Sequence, residues 1–99
     1  MPGERPGPGE VTARLDMLTA ELAGRGGPAW LEAPCGRLPR LRVANPDRAA
    51  VAEDIYAQPA GDKTWWYWWS WAEPIAADPV GAAEVIVRVL RTAAAEAAR

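Results

Sequence analysis

The stretch with the most chemistry to offer is Thr64 to Pro74, TWWYWWSWAEP, which places five tryptophans and a tyrosine among seven consecutive positions. Indole faces stack on planar ligands, accept guanidinium groups and fill cores, so this run could serve a core, a binding surface or both. Other reactive groups are sparse. Histidine is absent and cysteine occurs once, as Cys35. That composition removes the commonest general base, the usual partner of a serine or cysteine nucleophile, and any zinc site built from Cys and His. Glu53, Asp54 and Glu73 could in principle supply the carboxylate pair that glycosidases use, in a setting where tryptophan lines the sugar site. Their spacing does not gather them around a common cleft. Cys35, in APCGR, is expected to be a half-buried structural thiol, because no histidine is available to activate it. No acidic cluster follows the calcium-loop pattern. The expectation is a non-enzyme with no cofactor and no metal.

The elements that must position the tryptophans are legible from periodicity. Met1 to Gly9 holds three prolines and three glycines and is expected to be a disordered arm, with one domain over residues 10–99. From Thr12 to Ala23, Val11, Leu15, Leu18 and Leu22 trace a helical stripe that Thr12 could cap and Gly24 stops. Ala29 to Ala33 reads as a short strand between Pro28 and Pro34. Pro39 to Ala44 alternates as a half-buried strand, with Leu41 and Val43 inward and Arg40 and Arg42 outward. Asn45-Pro46 is ambiguous, since it could start a helix. A strand over Ala50 to Ala57 is favoured because QPAGDK then joins it to the tryptophan run as a hairpin. This strand turns Glu53 inward, which calls for a partner, a bulge or an edge position. Trp65 to Trp71 is a strand ended by Glu73-Pro74. Asp78 can cap a C-terminal helix that begins with Pro79 and buries Ala83, Ile86, Val87, Leu90, Ala94 and Ala97. The fold class expected is α+β: a helix, three or four antiparallel strands and a helix, with both helices on one face of the sheet.

Strand parity then divides the aromatic run. Trp65, Tyr67, Trp69 and Trp71 share one side, suited to contact with the alanine-rich C-terminal helix, while Trp66, Trp68 and Ser70 share the other. Arg40, Arg42, Tyr56 and Asp54 are expected on that second side. Either the arginines lie across the indole faces and shield an open sheet, or Trp66, Trp68, Arg40, Arg42 and Tyr56 form a patch that a partner or ligand covers. Trp65, Trp68 and Trp71 also spell the W-x-x-W-x-x-W of thrombospondin-type ladders, but those modules are disulfide-bonded and a single cysteine cannot support one.

The chain has 99 residues, a net charge of −2 and 49% hydrophobic residues, an ordinary globular composition. Arg25 to Arg48 carries a local net charge of +3. The order helix, strands, helix also matches double-stranded-RNA-binding domains, but DPVGAAEVIVRVL lacks the lysine cluster such domains place near the start of the second helix. Nucleic acid is therefore not expected as a partner. No segment reaches the ~20 apolar residues of a membrane span, and the N-terminus has no signal-peptide character. A cytoplasmic setting is expected, with a protein partner or self-association foremost and a small ligand or sugar stacked on tryptophan as the alternative.

With LRVANPD, AEDIYA and WWYWWSWAEPIA in hand, residues 15–91 resemble an uncharacterised family of small, high-GC actinobacterial proteins. In these an RVANP-like segment precedes a W-W-aromatic-W-W-S-W-x-E-P-I block and a C-terminal helix. Some members are encoded among helix-turn-helix regulators. The resemblance implies a cytoplasmic, non-catalytic accessory role and brings over no catalytic or binding residue.

Overall fold

The computed structural model describes residues 7–98. The elements run α1 (Pro8–Ala23), β1 (Ala29–Glu32), β2 (Arg40–Ala44), β3 (Ala52–Pro59), β4 (Trp65–Trp69), β5 (Pro74–Ala76) and α2 (Pro79–Ala97). The strands form one antiparallel sheet in the order β1-β2-β3-β4-β5. This is the expected α+β architecture with one strand more than anticipated. The extra strand is β5, which the sequence offers only as a short connection after Glu73-Pro74. Residues 1–6 of the expected arm lie outside the described residues, and Pro8 and Gly9 already belong to α1. The helix starts a turn earlier than Thr12, with Gly7 at its N-cap and no side-chain cap. Pro8 at the first helical position needs no hydrogen-bond partner for an N–H it lacks.

Both helices cover the same face. Val11, Leu15, Leu18 and Leu22 of α1 join Ala82, Ala83, Ile86 and Leu90 of α2 and the inward residues Leu41, Val43, Ile55, Ala57, Tyr67 and Trp69 in one core. The sheet members share parity across the register: Leu41 lies opposite Ile55, Ile55 opposite Trp69, and Ala57 opposite Tyr67. α1 lies against β1, β2 and β3, and α2 against β5 and α1. Asp78 caps α2 as expected, its Oδ2 accepting from the Gly81 N–H at 2.7 Å. At the other helix end, Gly26 takes φ 71° and the Gly27 N–H returns to the Leu22 carbonyl at 2.9 Å. That left-handed step favours glycine.

Two polar contacts fasten the layers. Asn45 is buried; its Nδ2 donates to the Leu90 carbonyl of α2 at 3.3 Å, and its Oδ1 accepts from the Asp47 and Arg48 N–H groups at 2.8 and 3.0 Å. The acceptor geometry is that of a helix cap. The chain nevertheless turns back, Val51 N–H bonding to the Arg48 carbonyl at 2.9 Å, and enters β3, which settles the Asn45-Pro46 ambiguity in favour of a strand. Tyr67 supplies the second contact, its hydroxyl donating to the Arg14 carbonyl of α1 at 2.6 Å. The Arg14 guanidinium sits 5.2 Å from the centre of the Trp65 ring, so one residue of α1 engages β4 twice.

The two hairpins flanking β4 use the same turn. Lys63 N–H bonds to Ala60 O and Ala60 N–H to Thr64 O; likewise Ala72 N–H bonds to Trp69 O and Trp69 N–H to Glu73 O. In each, the residue closing the turn has positive φ, 68° at Lys63 and 66° at Ala72, where a hairpin of this kind ordinarily has glycine.

Two expectations follow. Lys63→Gly and Ala72→Gly each relieve left-handed strain and raise unfolding stability by roughly 0.5–1 kcal/mol, read from urea midpoints; lower midpoints contradict the strain. Burial raises the Tyr67 phenol above its ordinary value. Above a pH of about 10 the unfolded chain gives up this proton while the native chain holds it, so this stabilising contribution is present below that pH and lost as pH rises through the native value. Tyr67→Phe flattens that alkaline limb in pH-dependent unfolding; an unchanged limb contradicts it.

Candidate functional site

With one face sealed by helices, the other face of the sheet is bare among the described residues, and the register shows what it carries. One row runs Glu32, Arg40, Tyr56, Trp68 across β1 to β4, because Arg40 lies opposite Glu32, Leu41 opposite Ile55, and Tyr56 opposite Trp68; beyond it a register shift between Tyr67 and Trp68 sets Pro74 of β5 beside Trp68. The next row is Trp30, Arg42, Asp54. Gln58 and Trp66 form a third. The structure thus brings together all five residues singled out from sequence: Trp66, Trp68, Arg40, Arg42 and Tyr56. It adds Trp30, Glu32, Asp54 and Gln58. Except for Trp30, at 46% exposure, and Gln58, these side chains are half-buried with no helix over them. Long side chains and rings lying against one another account for that.

The electrostatics differ from a cationic aromatic patch. Arg40 Nε contacts Glu32 Oε1 at 3.0 Å and Asp54 Oδ2 at 3.7 Å, and Arg42 Nη1 contacts Asp54 Oδ1 at 2.9 Å. Two guanidiniums and two carboxylates form a neutral lattice over β1, β2 and β3. The hydrogen bond to Glu32 raises the Arg40 guanidinium further above its ordinary value, and arginine stays cationic at any working pH. Of the two arrangements the sequence leaves open, the one in which these arginines lie across Trp66 and Trp68 is not what forms. β3 lies between their strands, so Arg40 and Trp68 are two strand spacings, about 9–10 Å, apart with Tyr56 between them. The guanidinium found over a ring is Arg14 above Trp65, on the helix side.

The aromatic half of the face holds a groove of about 510 Å³ lined by Tyr56, Gln58, Gly61, Trp68, Ser70 and Ala72, among others. Trp68 Nε1 donates to the Gln58 carbonyl at 3.2 Å, which satisfies the indole N–H within the chain and leaves the ring to apolar contact.

Trp71 departs from the expected pattern. β4 ends at Trp69, the chain turns over Ser70 to Ala72, and Trp71 leaves the inward row to lie 53% exposed. It stacks on Trp69 with centroids 5.0 Å apart and planes at 4°, and its Nε1 donates to Glu73 Oε2 at 2.7 Å. The carboxylates do not converge: Glu53, opposite Val43, faces the helices from the start of β3, Asp54 faces away, and Glu73 is held by Trp71. Cys35 is exposed rather than half-buried, since it sits in the turn between β1 and β2. Among the described residues no group of three or more His, Cys, Asp or Glu gathers closely enough to hold a metal ion. No helix among them is long and apolar enough to cross a membrane.

Sequence reasoning missed Trp30 and Glu32 as members of the site. Their alternation in AWLE was visible, but only the β1–β2 register reveals which of the two faces they share with the arginines.

The ionic lattice is a partly exposed one, so it orders the face more than it stabilises the fold. A double-mutant cycle of Arg42→Ala and Asp54→Ala gives a coupling of about 0.5–1 kcal/mol; a coupling several times larger shows that the pair is a stability element instead. In comparisons with protein-family models, curated proteins and solved structures, nothing matches this chain.

Proposed function

We propose that the protein is a non-catalytic interaction module, a regulatory accessory whose working surface is the open sheet face around Trp66, Trp68, Tyr56, Arg40 and Arg42. The observation that carries this reading is the asymmetry of the sheet. Two helices cover one side, while the other displays Trp30, Tyr56, Trp66 and Trp68 beside a charge lattice that is already neutralised. Aromatic rings and arginine dominate interface hot spots, and rings held in place by neighbours lose little freedom on contact. The scattered carboxylates and the lack of histidine favour binding over catalysis. The cytoplasmic setting and the kinship with small actinobacterial proteins belong to the same proposal. A second reading, a small planar ligand laid on Trp68 and Tyr56, is favoured by the groove between them; its mark is a shift of tryptophan emission on ligand titration.

The test replaces Trp66 with Ser and Trp68 with Thr together. Both rings face away from the core, so the double variant keeps its circular dichroism, and because each ring is half-buried the pair costs roughly 4–6 kcal/mol of stability at ~25 cal/mol/Å². Capture by the tagged chain, identified by mass spectrometry, is lost with the rings. Equal capture by both chains, or collapse of the variant fold, contradicts the proposal.

A further inference from the structure

We infer that the occupant of the open face is a second copy of this chain, docked face to face about a two-fold axis running along the strands between β2 and β3. This rests on the interaction-module reading and names its partner. Three observations converge on it.

The first concerns how this sheet can be approached at all. β1 has four residues bounded by Pro28 and Pro34, and β5 has three beginning with Pro74. Short edges flanked by proline resist an added strand, which leaves the face. The axis overlays β1 to β4 of each copy, which hold 4, 5, 8 and 5 residues, and at ~3.3 Å per residue and ~4.8 Å per strand two such faces meet over about 700 Å² of strand, the size of a weak, concentration-dependent interface.

The second is shape. Among the described residues the face carries a projecting ring, Trp30 on edge strand β1, 46% exposed, and a hollow, the groove of about 510 Å³ over β3 and β4. They lie on opposite sides of the β2–β3 line. A two-fold axis along that line seats each copy's Trp30 in the other copy's groove, against Trp68 and Ser70, and each contact is made twice, as an isologous interface requires. The strands of the two sheets then run nearly parallel, the usual aligned packing of sheet on sheet.

The third is charge. The same rotation sets Arg42 of each copy opposite Asp54 of the other, so the pair closed within one chain at 2.9 Å can also be shared between chains. The lattice of Glu32, Arg40, Arg42 and Asp54 is neutral as a whole, and two identical faces therefore meet without an excess of like charge. A polyanion gains nothing from such a surface.

Analytical ultracentrifugation from about 1 to 200 µM tests this. The wild type sediments as a dimer in the upper part of that range. Trp30→Ala weakens association about 30-fold, a hot-spot loss, and keeps the circular dichroism of the folded chain. Ser70→Trp, which fills the groove from an exposed position at the proposed seat of Trp30, gives the same loss without touching Trp30. Met17→Ala, a control at an exposed residue on α1, leaves association intact. A monomeric wild type at all concentrations, full association of either Trp30→Ala or Ser70→Trp, or equal weakening by Met17→Ala overturns the dimer. A monomeric wild type that still captures another protein through Trp66 and Trp68 overturns the dimer alone and leaves the interaction module standing.

Discussion

The pleat of β4 is the constraint on which everything else depends. Five consecutive aromatic residues cannot all be buried by a strand, because each successive side chain points to the opposite face. Tyr67 and Trp69 enter the core at 3% and 5% exposure, and Trp66 and Trp68 are thereby sent outward. The parity is locked by polar chemistry as well as by packing. The Tyr67 hydroxyl has a single productive partner in the Arg14 carbonyl, and a slip of one residue would replace tyrosine by an indole that cannot reach it. Register on such a strand is all or nothing.

The outward pair would be a liability if left alone, since exposed rings on a sheet invite aggregation. The face manages this with its own side chains. Trp68 gives its N–H to the Gln58 carbonyl, and the arginines pair with Glu32 and Asp54 instead of with the rings. The result is a surface that is ordered before anything binds to it. Ordering that precedes contact lowers the entropic cost of association, and it is this preorganisation, more than any single ring, that makes the face suited to recognition.

Much of the architecture was legible because periodicity and parity are local. The stripe Val11, Leu15, Leu18, Leu22, the alternation of Leu41 and Val43 between Arg40 and Arg42, and the Asp78-Pro79 cap each declare an element within a few residues, and each element formed, α1 beginning a turn before Thr12. The inside and outside of β4 could be assigned the same way. What was not local was not legible. Strand parity alone puts Trp71 in the inward row, because nothing in WSWAEP marks a turn at an alanine with positive φ, where glycine would signal one. β5 was too short to show alternation. Trp30 and Glu32 joined the site only through pairing with β2, and the arginines found carboxylates because β3 separates them from the indoles, a fact of strand order that residue spacing does not encode.

Residue-resolved tryptophan oxidation on dilute protein, read by mass spectrometry, tests the sorting of the rings most directly. The account predicts that Trp69 is the slowest to react, that Trp30 and Trp71 are the fastest, and that Trp66 and Trp68 fall between them. Trp69 reacting as fast as Trp66 and Trp68, or Trp66 and Trp68 protected as fully as Trp69, would contradict it, because the strand would then have no buried side and no open one.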